Sequence, residues 1–147
     1  MPANASAPAV NYSYAYDLTG RPLQVGQSVD PGPMVYAYDT AGRLLSEQQP
    51  DGRTIAYAYD ADGNRTGLTW PESGTQAYQA SYAYDALNRM TRMFEGDTTG
   101  PRLVTYAYDL LSRRSTATFV NNVVSTWTYR LNDTVATVQH AFGGGAG

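Results

Sequence analysis

Tyr36-Ala37-Tyr38-Asp39-Thr40-Ala41-Gly42-Arg43-Leu44 decides the fold, because it returns along the chain. Tyr-Ala-Tyr-Asp ends at Asp17, Asp39, Asp60, Asp85 and Asp109, at intervals of 22, 21, 25 and 24 residues. A period of this size marks a repeat architecture, one small unit copied many times. A sixth, degenerate copy, Trp127-Thr128-Tyr129-Arg130, carries arginine where the others carry the acid. Six units of 21–25 residues thus run over 10–142 as one continuous β array. An N-terminal tail, 1–9, and a glycine-rich C-terminal tail, 143–147, flank them.

Each unit reads as two strands and two turns. Large and small side chains alternate in the tetrapeptide, which is strand periodicity. Tyr12, Tyr14 and Tyr16 therefore share one face, and Ser13 and Ala15 the other. Asp then opens, and Gly closes, a four-residue turn: Asp17 to Gly20, Asp39 to Gly42, Asp60 to Gly63. This is the type I signature, in which the carboxylate accepts backbone N–H groups and glycine supplies the positive φ of a following bulge. Asn88 and Ser112 replace glycine in later copies, and Ser tolerates that conformation less well. The last repeats are expected to turn less regularly. The return strand is taken to begin at Arg21, Arg43, Arg65, Arg89 and Arg113. Breaker clusters close the units at Asp30-Pro31-Gly32-Pro33, Pro50-Asp51-Gly52-Arg53, Pro71-Glu72-Ser73-Gly74, Gly96 to Gly100, and Asn121-Asn122. The expectation is an all-β fold of about twelve antiparallel strands, meandering and spiralling as a solenoid or tube, with no helix.

Twelve strands at about 4.8 Å spacing make a ribbon about 58 Å wide. A sheet of that size needs a second layer or closure over its apolar face. The tyrosines Tyr14, Tyr16, Tyr36, Tyr38, Tyr57, Tyr59, Tyr82, Tyr84, Tyr106 and Tyr108 are expected to stack as a ladder. Cross-strand aromatic pairs contribute roughly 0.2–1 kcal/mol each. The edge segments carry Val10 and Tyr12 at one end and Val135, Val138 and Phe142 at the other. The last, Val135–Phe142, has neither Lys nor an acid, the usual protection of an edge. It reads as a strand built to be paired. Two matching edges give a head-to-tail contact that grows into a filament when it does not close into a ring.

Composition narrows the chemistry. The chain has no Cys and no Lys, one His, and a net charge of −3. Thiol and Schiff-base catalysis, Walker-type phosphate binding and disulfides are excluded. No basic stripe suggests nucleic acid, and no apolar run reaches the ~20 residues of a membrane span. The first nine residues lack the charged and apolar regions of a complete signal peptide. Arg at the post-turn position is expected to pair with a neighbouring unit's turn Asp or to lie on a Tyr ring. His140 is the single candidate imidazole base, with Ser125, Ser115 or Asp133 as conceivable triad partners but no nucleophile elbow. Asp60-Ala61-Asp62-Gly63-Asn64 is similar to a calcium loop yet lacks the later acidic ligand. No catalytic residue, cofactor or metal is expected.

The units Tyr36–Leu44, Tyr57–Arg65 and Tyr82–Met90 closely resemble the YD repeat of the Rhs family. That family includes bacterial Rhs toxins, the B and C subunits of insecticidal toxin complexes, and teneurins. The resemblance implies a β-ribbon spiralling into a hollow shell around a toxic C-terminal domain, and carbohydrate binding has been proposed for such repeats. Six repeats are too few to wall off a cargo, and neither the Asp-Pro-x-Gly cleavage signature nor a toxin domain is present. The reading is therefore a bacterial, extracellular or cell-surface, non-enzymatic protomer that polymerises head to tail through its terminal strands into a filament or tube. The alternatives are an excised piece of an encapsulating shell and a carbohydrate-binding surface module whose tyrosines stack on sugar rings.

Overall fold

In a computed structural model, which describes residues 9–71 and 77–143, the chain is all-β. The strands are β1 Tyr12–Tyr16, β2 Pro22–Gln27, β3 Met34–Tyr38, β4 Leu44–Gln48, β5 Thr54–Tyr59 and β6 Arg65–Pro71. They continue as β7 Ala77–Tyr84, β8 Met90–Glu95, β9 Arg102–Tyr108, β10 Arg114–Phe119, β11 Val123–Tyr129 and β12 Val135–Phe142. They hydrogen-bond in sequence order as one sheet, the expected meander. There is no helix among the described residues. The tail at 1–8, the turn expected at Pro71–Gly74 from Glu72 onward, and the glycines from 144 lie outside the described residues.

The turns explain why each Tyr-Ala-Tyr-Asp copy reverses the chain. The Gly20 N–H donates to the Asp17 carbonyl at 3.1 Å, and the Asp17 N–H to the Arg21 carbonyl at 2.9 Å. Gly20, Gly42 and Gly63 hold φ of 83, 84 and 88°, which L side chains resist. A register shift follows at Ala15/Tyr16, Ala37/Tyr38 and Ala83/Tyr84, the bulge expected of a three-residue hairpin loop. The later turns do not loosen, contrary to expectation. Asn88 (φ 59°), Ser112 (φ 62°) and Asp133 (φ 62°) close turns with N–H···O distances of 2.9, 3.0 and 3.1 Å. Their side chains are bonded by the preceding repeat, described below, which offsets the cost of the left-handed backbone.

The chain divides into two compact units, Met1–Tyr57 and Ala58–Gly147. Within each, a strand touches only its neighbours in the sheet, so each unit is a single layer. In the first, Ile55 is the buried apolar residue. In the second, Ala80, Phe94, Val104 and Ala117 are buried, together with Ser81 and Ser125. Register explains part of this. Ala117 lies between Tyr106 on β9 and Ser125 on β11, so a small side chain is shielded by its flanking neighbours. No large side chain is fully buried among the described residues.

Among the described pairings, no repeat tyrosine faces another across neighbouring strands, as a ladder of direct cross-strand pairs would require. The tyrosines stand on odd-numbered strands, and the return strands separate them. Tyr14 faces Val25, Tyr36 faces Glu47, Tyr82 faces Met93 and Tyr106 faces Ala117. The stacked pair Tyr14–Tyr16, with centroids 6.3 Å apart, lies within one strand.

Candidate functional site

Arginine does what the missing aromatic pairs were expected to do. Four post-turn arginines, Arg21, Arg43, Arg89 and Arg113, first bond the Asp of their own turn. Asp17 and Asp39 receive the Nε of Arg21 and Arg43 at 2.6 Å, and Asp85 and Asp109 that of Arg89 and Arg113 at 2.8 Å. The other carboxylate oxygen accepts backbone N–H groups, from Thr19 and Arg21 in the first unit and Leu87 and Arg89 in the fourth. All of these carboxyls are held below the ordinary carboxylate range. The Arg21 and Arg43 backbone N–H groups act most on Asp17 and Asp39, and the Arg89 side chain on Asp85. Desolvation opposes the shift at Asp109, but the bonds from Arg113 outweigh it.

The third unit departs from the expected pattern. Arg65 stands five residues after Asp60, not four, so Asn64 takes the clamping place, donating its N–H at 2.8 Å and its Nδ2 at 3.0 Å to Asp60. The Asn64 side chain has the largest part in lowering the Asp60 pKa. The sixth unit departs again. Arg130 holds the acid's place, and Asn132 Oδ1 accepts the Thr134 hydroxyl at 2.8 Å instead. Arg130 Nη1 turns to the Val135 carbonyl, 3.1 Å away.

From its own turn, the guanidinium reaches forward over the next repeat. Arg21 lies 4.7 Å from the Tyr38 ring centroid, Arg89 4.6 Å from Tyr108, and Arg113 4.4 Å from Tyr129. The displaced Arg65 covers Tyr82 instead, at 5.4 Å. The ring hydroxyl answers by donating backward, to the carbonyl of the residue after the clamp. Tyr38 bonds Pro22 (3.0 Å), Tyr84 bonds Arg65 (2.9 Å), Tyr108 bonds Met90 (2.7 Å) and Tyr129 bonds Arg114 (2.7 Å). A third link ties the turns. Asn64 donates to Asn88 at 2.8 Å, Arg89 to Ser112 at 3.1 Å, and Arg113 to Asp133 at 2.6 Å. Expected pairing of Arg with a neighbouring turn's acid is thus realised at Arg113–Asp133. These contacts form a joint between repeats, seen from the first repeat to the second and from the third through to the sixth.

At the sheet's edges the joint is half made. Tyr12, Tyr14 and Tyr16 on β1 are 62, 57 and 57 % exposed, whereas the other repeat tyrosines are half-buried. Val10 is exposed beside them. On β12, Val135, Val138 and Phe142 are exposed at 46, 47 and 84 %.

The candidate chemistry resolves into one pair. Ser125 Oγ and His140 Nδ1 lie 2.8 Å apart across β11 and β12. Ser125 is buried, and Asp133 is committed to Arg113, so among the described residues the pair has no acid partner for the imidazole. Among the described residues, no group of three His, Cys, Asp or Glu side chains could hold a metal ion. Among the described residues, no helix is long and apolar enough to cross a membrane.

Single-layer hairpin units joined by the same contacts define an antiparallel β-repeat protein. More particularly, residues 38–75 match the RHS repeat family model, so the resemblance carried by the Tyr-Ala-Tyr-Asp units holds. Solved structures share the fold. A crystal structure of TcdB2-TccC3-Cdc42 overlays with a TM-score of 0.76 at 17% identity, over 91% of this chain and 8% of that one. TcdB2-TccC3 itself overlays at 0.73, with the same identity and coverage. The Tc holotoxin pore of Photorhabdus luminescens, carrying a TccC3 mutation, overlays at 0.72, again at 17% identity and the same coverage. The chain thus spans less than a tenth of the structures that it matches. No curated protein matches it by sequence.

Proposed function

We propose that the chain is a structural, non-enzymatic wall element. Its edge strands extend the sheet by pairing with further copies, head to tail, into an extracellular filament or tube. One observation carries this reading. β12 is an eight-residue edge strand without Lys, Pro or acid, exposed along nearly its whole length. Such an edge is a template for another strand unless something blunts it. Each unit is a single layer with few buried side chains, so added strands also bring cover that the isolated chain lacks.

The likeness to TcdB2-TccC3 favours a second reading, in which the chain is a segment of an encapsulating shell. In both, the repeats act as wall and their chemistry is hydrogen bonding and packing. Among the repeat tyrosines, a sugar-stacking role is open to Tyr12, Tyr14 and Tyr16, because the others are half-buried. Sedimentation velocity separates the readings. A self-pairing protomer sediments as a concentration-dependent polymer, and Val138→Lys returns it to a folded monomer. A parent chain that stays monomeric at high micromolar concentration overturns the polymer reading and leaves the shell.

A further inference from the structure

The joints share one register as well as one set of contacts. Stepping the pairing Gln24–Val35 three residues toward the turn sets Tyr38 opposite Arg21. The same three steps from Gly67–Ser81 set Tyr84 opposite Asn64. From Arg92–Thr105 they set Tyr108 opposite Arg89, and from Thr116–Thr126 they set Tyr129 opposite Arg113. In all four, the second tyrosine of a repeat faces the clamping residue of the repeat before it, and its hydroxyl takes the carbonyl one residue on.

The two edges carry complementary halves of this joint. On β1, Tyr16 is the second tyrosine, the residue is 57 % exposed, and no described residue bonds its hydroxyl. Beside β12, Thr134 holds the clamping place and Val135 the carbonyl place. Arg130 Nη1 already lies 3.1 Å from the Val135 oxygen, which puts a guanidinium beside the carbonyl that the joint would use. A carbonyl has two lone pairs, so Val135 can accept a tyrosine hydroxyl beside Arg130. This also accounts for arginine in the sixth unit's acid position, which the turn itself does not require.

We propose that β12 takes β1 of a second copy of this chain in the repeats' own register. Tyr16 of the second copy stands opposite Thr134, with its ring against Arg130 and its hydroxyl on the Val135 carbonyl. Ser13 then faces Thr137, and Tyr12 faces Val138. The sixth repeat of one copy is followed by the first repeat of the next as though the chain were continuous. This inference rests on the edge-pairing reading and adds to it a register and a set of contacts.

The chain has no Cys, so cross-linking reads the register directly. Facing residues in an antiparallel pair have Cα atoms about 4.5–5.5 Å apart, within disulfide reach. Of two adjacent pairs, one is of the closer, non-hydrogen-bonded kind. Ser13→Cys is mixed with Thr137→Cys, and Tyr12→Cys with Val138→Cys, under mild oxidation. At least one mixture should give a mixed disulfide dimer. Ala15→Cys with Thr137→Cys, two residues out of register, should give none. Tyr16→Phe should raise the critical concentration roughly five-fold, the effect of one lost hydrogen bond, and Arg130→Ala should raise it too. A dimer from the out-of-register pair, a dimer of Thr137→Cys alone, or a parent polymer without mixed dimers would overturn the register while leaving edge pairing intact. A monomeric parent chain would overturn both.

Discussion

Replacing Tyr108 with Phe removes one atom from the joint between the fourth and fifth repeats. The ring stays, so its contact with Arg89 at 4.6 Å is kept. What goes is the hydroxyl's 2.7 Å bond to the Met90 carbonyl, in a part-buried setting. A net hydrogen bond contributes about 0.5–1.5 kcal/mol, and a carbonyl left short of its donor adds to the loss. The setting is part-buried, so the middle of the range applies, about 1 kcal/mol. For a domain near this size that is about 3 °C in melting temperature. Tyr106→Phe is the matched control, because no described residue bonds the Tyr106 hydroxyl and its ring keeps Arg114 at 4.2 Å. Urea melts followed by circular dichroism should show Tyr108→Phe destabilised with an unchanged slope, and Tyr106→Phe within ~0.3 kcal/mol of the parent. Equal losses at the two positions, or none at Tyr108, would refute the joint as the contact that links repeats.

Three further outcomes follow from the same geometry. The turn aspartates are depressed below their unfolded value of about 3.9, so their contribution is complete above it and is lost as pH falls through the folded values. Melting temperature should be flat from pH 5 to 8 and drop below about pH 4; a loss between pH 8 and 6 would contradict this. Ser112 holds φ 62°, so Ser112→Val should destabilise by roughly 1–2 kcal/mol, since a branched side chain resists that backbone; an unchanged urea midpoint would count against it. Ser125 is buried against His140, so a fluorophosphonate probe should leave the folded chain unlabelled; stoichiometric labelling of Ser125 would reopen catalysis.

Much of the fold was legible because the repeat writes the same instruction several times. The period, the strand alternation and the Asp-x-x-Gly turn each follow from local chemistry, and the hairpins obey them. The aromatic ladder misled because sequence identity between copies was read as adjacency in the sheet. Like residues stand two strands apart, and the one return strand between them puts Val25, Glu47, Met93 and Ala117 where aromatic partners were expected. Regular turns at Asn88 and Ser112 were hidden for a related reason: their support comes from residues 23 or 24 positions earlier. The place of Asn64 was readable, since counting four from Asp60 reaches it. The edge segments Val10–Asp17 and Val135–Phe142 were visible, the second as a strand without Lys or acid, but the part of Arg130 needed the geometry of the other joints.

Negative-stain electron microscopy of the purified chain at neutral pH tests the central claim most directly. The account predicts long filaments of uniform width that are lost in Val138→Lys. Monodisperse small particles from the parent chain, at concentrations well above micromolar, would contradict it.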